Sequence, residues 1–171
     1  MKKALQDYRS RVDIVALNPH ADIVALTTDL VNIPSVSGNE AALADAIFME
    51  LSKCGWLEVH RFKNSVVAKT NLGKASRVIV AGHIDTVPVA DNESAVFVAG
   101  GQGLPSDGTK VPEDVVFGLG SCDMKGGVAV ALKAAVTIEN PQFDVTYIFY
   151  ECEEVDSELS LIHISEPTRL L

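Results

Sequence analysis

The sequence predicts an α/β fold in which helices pack against a sheet that is at least partly parallel. Two observations carry this prediction. Segments with helical periodicity alternate along the chain with short apolar runs rich in β-branched residues. The length of 171 residues and the hydrophobic fraction of 47% are also sufficient for one domain with a sizeable core.

Three segments have the spacing of amphipathic helices. Residues 21–33 place an apolar side chain every three or four positions. Ser37 and Glu40 have the spacing of a capping box, which predicts that a second helix begins there and ends near Gly55. Residues 125–139, rich in Ala and Val, predict a third helix. The first 18 residues or so have little pattern and are predicted to form an arm.

Four segments read as strands. Residues 57–62 and 66–70 are β-rich and separated by a polar turn. Residues 77–84 (RVIVAGHI) and 144–150 (DVTYIFY) are nearly continuous apolar runs, which predicts two buried strands. Residues 88–116 are rich in Gly, Pro and Asp and are predicted to be a long, irregular loop; loops of this length are usually functional.

Composition excludes several classes of function. The net charge of −9 argues against nucleic acid as a partner, because a phosphate backbone requires a basic surface. It does not exclude a small anionic substrate. The three cysteines are sparse and lack metal-binding spacing, which is typical of a reducing compartment. No apolar run is long enough to span a bilayer, so we expect a cytoplasmic protein with no membrane partner.

Metal-binding residue types begin at the end of the first predicted buried strand. His83 and Asp85 lie two positions apart, so in extended backbone their side chains share a face. The carboxyl ends of strands in α/β sheets are also where sites form. An imidazole beside a carboxylate is the usual combination of a metal ligand and the group that orients it. A structural histidine at a strand end is the alternative.

Asp123 lies in the glycine-rich segment 118–127 (GLGSCDMKGG), directly before the third predicted helix. Glycine allows the tight turns and close approaches that a ligand site needs. The alternative is that Asp123 simply caps the helix. A nucleophile elbow centred on Ser121 and a dinucleotide-binding loop both require glycine where Asp123 stands, so neither fits. A hydrolase using Ser121 or Cys122 with His83 would leave the nearby carboxylates without a function.

Glu153 and Glu154 follow the second predicted buried strand. Adjacent residues point in different directions, so one carboxylate can bind a metal while the other takes a proton from water. Adjacent acids on solvated loops are common, and the interpretation depends on their position at a strand end. Together with His83, Asp85 and Asp123 they form a mixed nitrogen and oxygen ligand set, which suits zinc, with cobalt or manganese as alternatives.

These three segments resemble the signature of the M20 family of two-zinc peptidases and deacylases, and the similarity runs from about Ile23 to Glu158. The resemblance implies a three-layer, zinc-peptidase-like catalytic domain with a mixed, mostly parallel sheet, here truncated. Within the family, the phrases AGHIDTVPVADN and YECEEVDSE are similar to the actinobacterial desuccinylase branch. That similarity implies hydrolysis of N-succinyl-LL-2,6-diaminopimelate to succinate and diaminopimelate in lysine biosynthesis.

The resemblance also implies a role for each site residue and a cofactor of two Zn²⁺ ions, with Co²⁺ as an alternative. His83 binds one metal, Asp123 bridges both, and Glu154 binds the second. Glu153 is the general base, and Asp85 orients His83. The resemblance further implies a cis peptide bond after Asp123 and a full-length parent that is a homodimer.

Two further metal ligands of the family, a carboxylate and a histidine, are expected beyond Glu154. His163 lies too early in the chain to be that histidine. Residues 159–169 (LSLIHISEPTR) resemble a translated sequencing adapter, so we expect residues 1–158 to be the N-terminal part of the catalytic domain and 159–171 to be a non-native tail. With two protein ligands per metal, this chain is expected to be a poor or inactive hydrolase.

Two alternatives to the desuccinylase remain open. The first is another member of the same family, such as an acetylornithine deacetylase, an aminoacylase or a carboxypeptidase. All of these act on small anionic N-acyl amino acids or peptides, and the site motifs do not separate them. The second is of a different class, a non-catalytic truncated fragment.

Overall fold

The computed structural model describes residues 16–155. The predicted tail 159–171 and nearly all of the predicted N-terminal arm lie outside the described residues. Within these residues there are three α-helices, α1 (Ile23–Val31), α2 (Ala41–Leu51) and α3 (Gly126–Thr137). No helix in residues 16–155 is long and apolar enough to cross a membrane.

Each helix begins close to its predicted start, but the reasons differ. Asp22 caps α1, because its carboxylate accepts hydrogen bonds from the amides of Val24 and Ala25, each at 3.0 Å. The capping box predicted for α2 is wrong. Glu40 occupies the capping position with helical backbone angles and makes no capping hydrogen bond to the helix. Its side chain turns towards the interior instead.

In the part of the chain that the structure describes, the strands form two sheets. Their bounds are β1 (Glu58–Phe62), β2 (Ser65–Lys69), β3 (Arg77–His83), β4 (Val96–Val98), β5 (Val115–Phe117) and β6 (Asp144–Tyr150). The main sheet has the order β1-β2-β6-β3. β1 pairs with β2 and β2 with β6 in antiparallel orientation, whereas β3 and β6 are parallel. The mixed α/β sheet is therefore confirmed, although one of its three strand pairs in residues 16–155 is parallel, fewer than predicted.

The helices form one layer over this sheet. α2 contacts β1 and β2, α3 contacts β3 and β6, and the two helices contact each other; α1 packs on α3. The core between the layers is apolar, with fully buried side chains that include Leu30, Ile47, Leu132 and Phe149. The described residues thus supply the sheet and one helical layer of the predicted three-layer domain.

The predicted loop over residues 88–116 is only partly a loop. Val96–Val98 pairs with Val115–Phe117 as an antiparallel hairpin, and Phe117 lies one residue beyond the predicted loop. An isolated bridge joins Gly103 to Lys110 inside the hairpin. Strands of three residues are too short to give a clear alternating pattern, so the Gly and Pro content of the segment indicates a loop.

β3 is less buried than predicted. Within the described residues it pairs with β6 alone, so its other edge is open, and Val78 and Ile79 are 43% and 65% exposed. Beside it, an apolar groove of about 350 Å³ lies between β3 and α3 and is lined by side chains that include Val80, Val130 and Ile138. An apolar run predicts burial, but nothing in residues 16–155 covers this edge.

An open, apolar strand edge promotes association between chains. We therefore expect Ile79→Lys to lower self-association of the purified chain, because a charge on an edge strand disfavours edge-to-edge pairing. Sedimentation velocity at micromolar concentrations measures this. Val24→Lys is the matched control, since Val24 is 43% exposed on α1, away from any strand edge. Equal effects of both substitutions, or a monomeric wild-type chain, would contradict the prediction.

Candidate metal centre

The predicted site residues meet at one edge of the main sheet. β3 and β6 are neighbours and parallel, and His83 is directly opposite Tyr150 in their register. The chain segments that follow the two strands therefore leave the sheet side by side. This is why Asp85, after β3, lies beside Glu153 and Glu154, after β6.

His83 is 4% exposed, and its two ring nitrogens face different partners. Nδ1 lies 3.1 Å from the backbone oxygen of Asp85 and 3.4 Å from the Asp85 carboxylate. Nε2 lies 2.9 Å from Oδ1 of Asp123. Asp85 thereby fixes the orientation of the ring and directs Nε2 towards the other site residues.

Asp85 is fully buried and joins three segments of the chain. One carboxylate oxygen accepts a 3.0 Å hydrogen bond from the amide of Glu153, and the other accepts one of the same length from the amide of Glu154. The Ser37 hydroxyl donates to the second oxygen at 2.6 Å. Asp85 therefore holds the Glu153–Glu154 turn as well as His83.

Asp123 enters the site from a tight turn. Residues Ser121–Lys125 form a kinked turn before α3 in which Asp123 and Met124 have non-helical backbone angles, and the peptide bond between these two residues is cis, as the resemblance implied. Gly120 has a positive φ of 77°, and a Cβ there would lie 2.7 Å from Cγ2 of Thr86. Glycine is thus required for the turn to approach the segment after β3. The Asp123 side chain is 77% exposed, so it faces the open side of the site.

Lys125 anchors the other end of this turn and was not predicted. Its side chain is 1% exposed, and its ammonium donates a 2.7 Å hydrogen bond to the backbone oxygen of Ile33. Burial lowers the pKa of Lys125 to about 8. The sequence gives no signal for this contact, since it spans 92 residues.

Donor atoms of three predicted ligands converge. One donor atom each from His83, Asp123 and Glu154 lies within 4.8 Å of the other two. This set combines an imidazole nitrogen with carboxylate oxygens, which is the donor chemistry of zinc and related divalent cations. The residues present therefore fit a metal ion.

Electrostatics support the same interpretation. The Asp85 carboxylate, and after it the Asp123 carboxylate, raise the pKa of His83 to about 9 against the effect of burial. Burial alone would raise the pKa of Asp85, but hydrogen bonds from His83, Ser37 and the two amides hold it far below its usual range. Burial, and then the negative charge of Asp123, raise the pKa of Glu154. A divalent cation would relieve this repulsion between carboxylates.

Glu153 stands apart from the three converging donors. Its side chain is exposed, and its amide is held by Asp85. Its role as general base, like the roles of the other four residues, stays a prediction. The sequence reasoning missed Ser37 and Met124, whose sulfur accepts a 3.3 Å hydrogen bond from the amide of His83.

An α/β domain with histidine and carboxylate donors at adjoining strand ends is the architecture of a metal-dependent hydrolase. The chain belongs to peptidase family M20/M25/M40, whose model matches residues 79–169, more than half of the sequence. That match runs past Glu158, so the boundary proposed there stays a prediction.

Several of the curated relatives that the chain matches are desuccinylases. The chain is 44% identical over 151 residues to a succinyl-diaminopimelate desuccinylase of Corynebacterium glutamicum, a match that covers 85% of this chain and 37% of that protein. It is 30% identical over 122 residues to a succinyl-diaminopimelate desuccinylase of Roseobacter denitrificans, covering 69% of this chain and 30% of that protein. The chain thus spans less than two-fifths of the length of these relatives.

Solved structures show the same fold. A tripeptidase of Staphylococcus aureus superposes with a TM-score of 0.60 at 20% identity, covering 84% of this chain and 41% of that one. An M20 family metallo-carboxypeptidase of Sulfolobus solfataricus gives 0.59 at 16% identity, covering 82% and 33%. The predicted α/β fold class with a mixed sheet is confirmed.

Proposed function

We propose that this chain carries the N-terminal part of a two-zinc amide hydrolase that converts N-succinyl-LL-2,6-diaminopimelate and water to succinate and diaminopimelate. The convergence of His83, Asp123 and Glu154 carries the proposal. The identity of 44% to a succinyl-diaminopimelate desuccinylase supports the substrate. The proposed substrate is a small anionic N-acyl amino acid. We also propose that the longer protein is a homodimer.

In this mechanism His83 and Glu154 would hold the cations, and Asp123 would supply carboxylate oxygen to both. The cations, when bound, supply a Lewis acid that polarises the amide carbonyl and lowers the pKa of water. Glu153 accepts a proton from the attacking water and returns it to the leaving amine. Asp85 keeps Nδ1 of His83 occupied, so that Nε2 is the nitrogen available to a cation.

The metal centre is tested by removing an exposed ligand. Asp123→Ala is expected to weaken Co²⁺ binding by at least about tenfold, the least that loss of a supporting contact costs. Because Asp123 is 77% exposed, the thermal midpoint should change little. Calorimetric titration of the metal-free chain measures the affinity. Asp107→Ala, on an exposed loop, is the control. Unchanged affinity in Asp123→Ala would contradict the centre.

The substrate is tested in a protein of the relatives' length that carries this segment. Supplied with zinc, it should hydrolyse N-succinyl-LL-2,6-diaminopimelate with a higher kcat/KM than N-acetylornithine or peptides. A preference for acetylornithine would overturn the substrate and leave the metal centre standing. The chain of 171 residues itself should hydrolyse the substrate poorly or not at all. Two bound zinc ions per chain together with hydrolysis would contradict that expectation.

A further inference from the structure

A second buried carboxylate lies next to the metal centre without belonging to it. Glu40 is 0% exposed, and its side chain accepts hydrogen bonds from three segments. One oxygen accepts from the amide of Gly38 at 2.8 Å, from the amide of Cys152 at 3.3 Å and from the Cys152 thiol at 3.6 Å. The other oxygen accepts from the side-chain amide of Asn64 at 3.1 Å.

Cys152 is the corner at which the chain leaves β6. Its φ is 62°, in the left-handed region that a residue with a Cβ rarely adopts. Such a conformation costs on the order of 1 kcal/mol or more and persists where its surroundings hold it. Glu40 binds both the amide and the thiol of this residue, and Cys152 is itself buried. The corner directly precedes Glu153 and Glu154.

Two buried carboxylates, those of Glu40 and Asp85, therefore accept hydrogen bonds from the backbone amides of three consecutive residues. Glu40 accepts from the amide of Cys152 at 3.3 Å, and Asp85 accepts from those of Glu153 and Glu154 at 3.0 Å each. Removing either carboxylate would free one side of the turn. The direction in which the Glu154 side chain leaves this turn decides whether it reaches His83 and Asp123.

Glu40, Glu151 and Cys152 also lie close enough together to be considered as a metal site. Three of the four carboxylate oxygens of Glu40 and Glu151, however, already accept hydrogen bonds from protein groups. Both oxygens of Glu40 accept hydrogen bonds, and one oxygen of Glu151 accepts from the backbone amide of Asn64 at 3.1 Å. Buried polar atoms that are already satisfied in this way serve structure.

We propose that Glu40 is a positioning residue of the metal centre, which fixes the corner at Cys152 so that Glu154 is held in place beside His83 and Asp123. This inference rests on the proposed function, since it requires that the three donors bind a metal. Glu40 acts at a distance, through the backbone of the turn, and contacts neither substrate nor cation.

The test compares Co²⁺ affinity and the visible Co²⁺ spectrum in the metal-free chain and its variants, at a temperature at which circular dichroism shows each to be folded. Glu40→Ala is expected to weaken binding by about tenfold or more and to change the spectrum, as loss of an outer contact does. Glu40→Gln retains an oxygen that can accept from Cys152, so its Co²⁺ affinity should fall by less than about tenfold.

Asp144→Asn is the matched control. The side chain of Asp144 is also a buried carboxylate, and it accepts hydrogen bonds from the backbone amides of Leu72 and Lys74 at 2.8 and 2.9 Å. It lies at the opposite end of β6 from the metal centre. It should lower stability and leave Co²⁺ affinity and spectrum unchanged. An equal loss of affinity in Asp144→Asn would overturn the proposal, because it would show a general effect of stability.

Two further outcomes separate the proposals. If Glu40→Ala binds Co²⁺ like wild type, the assignment of Glu40 is overturned and the metal centre stands. If the wild-type chain binds no Co²⁺, the centre and the assignment fall together. Should Glu40→Ala not fold, Glu40→Gln decides: binding near wild type with an unchanged spectrum supports positioning by hydrogen bonds, and a tenfold loss overturns it.

Discussion

Replacement of Asp85 by alanine is expected to abolish measurable Co²⁺ binding and to destabilise the fold at the same time. The carboxylate is fully buried and accepts hydrogen bonds from Ser37, Glu153 and Glu154. It also lies 3.4 Å from Nδ1 of His83. Alanine removes every one of these contacts and leaves the donors facing a cavity.

The size of the effect follows from those donors. A buried donor left without a partner costs about 1–3 kcal/mol, so three donors imply a loss of about 3 kcal/mol or more in the free energy of unfolding. The total free energy of unfolding of a domain is roughly 5–15 kcal/mol. Loss of the group that orients a ligand histidine typically costs a further 10–100-fold in metal affinity, and here the Glu154 turn is released as well.

Urea denaturation and calorimetric Co²⁺ titration measure the two effects separately. Asp85→Asn keeps one acceptor oxygen, so both losses should be intermediate. Asp144→Ala removes a buried carboxylate of similar hydrogen bonding at the other end of β6, and should lower stability while leaving affinity unchanged. Wild-type affinity in Asp85→Ala would show that neither His83 nor the turn depends on Asp85.

Much of this site could be predicted because it depends on strand ends. The strand over residues 144–150 has the predicted bounds, and residues 77–84 form a strand one residue shorter. Side chains that follow two adjacent parallel strands must emerge at the same edge of the sheet. That rule brings His83 and Asp85 near Glu153 and Glu154, whereas Asp123 comes from the glycine-rich turn before α3 and is predicted from its sequence motif.

The supporting contacts could not be predicted, because they join segments that are distant in sequence. Glu40 lies 112 residues from Cys152, and its local spacing with Ser37 indicated a helix cap. In the structure Ser37 donates to Asp85 instead, and Glu40 accepts from Cys152. The exposure of β3 could not be predicted either. An apolar run indicates that a strand can be buried, but it does not show which element covers the strand.

Phe149→Ala is expected to cost about 3–5 kcal/mol in the free energy of unfolding, the range found for large aromatic side chains removed from a core. Phe149 is 1% exposed and lies in the middle of the sheet, opposite Val66 of β2 and Gly82 of β3. Its removal leaves a cavity between the sheet and the helical layer. Phe62→Ala is the control, because Phe62 is 61% exposed at an edge strand and should cost less than about 1 kcal/mol.

Phe149 also connects the core to the site, because it precedes Tyr150 and the turn that carries Glu154 on the same strand. The turn is held by Glu40 and Asp85 through hydrogen bonds that do not involve Phe149, so its geometry should survive the loss of the ring. Phe149→Ala should therefore lower the urea midpoint far more than the Co²⁺ affinity measured below that midpoint. Asp85→Ala should lower both. If Phe149→Ala weakens Co²⁺ binding as much as Asp85→Ala does, the site depends on packing beneath the sheet rather than on the two carboxylates that hold the turn.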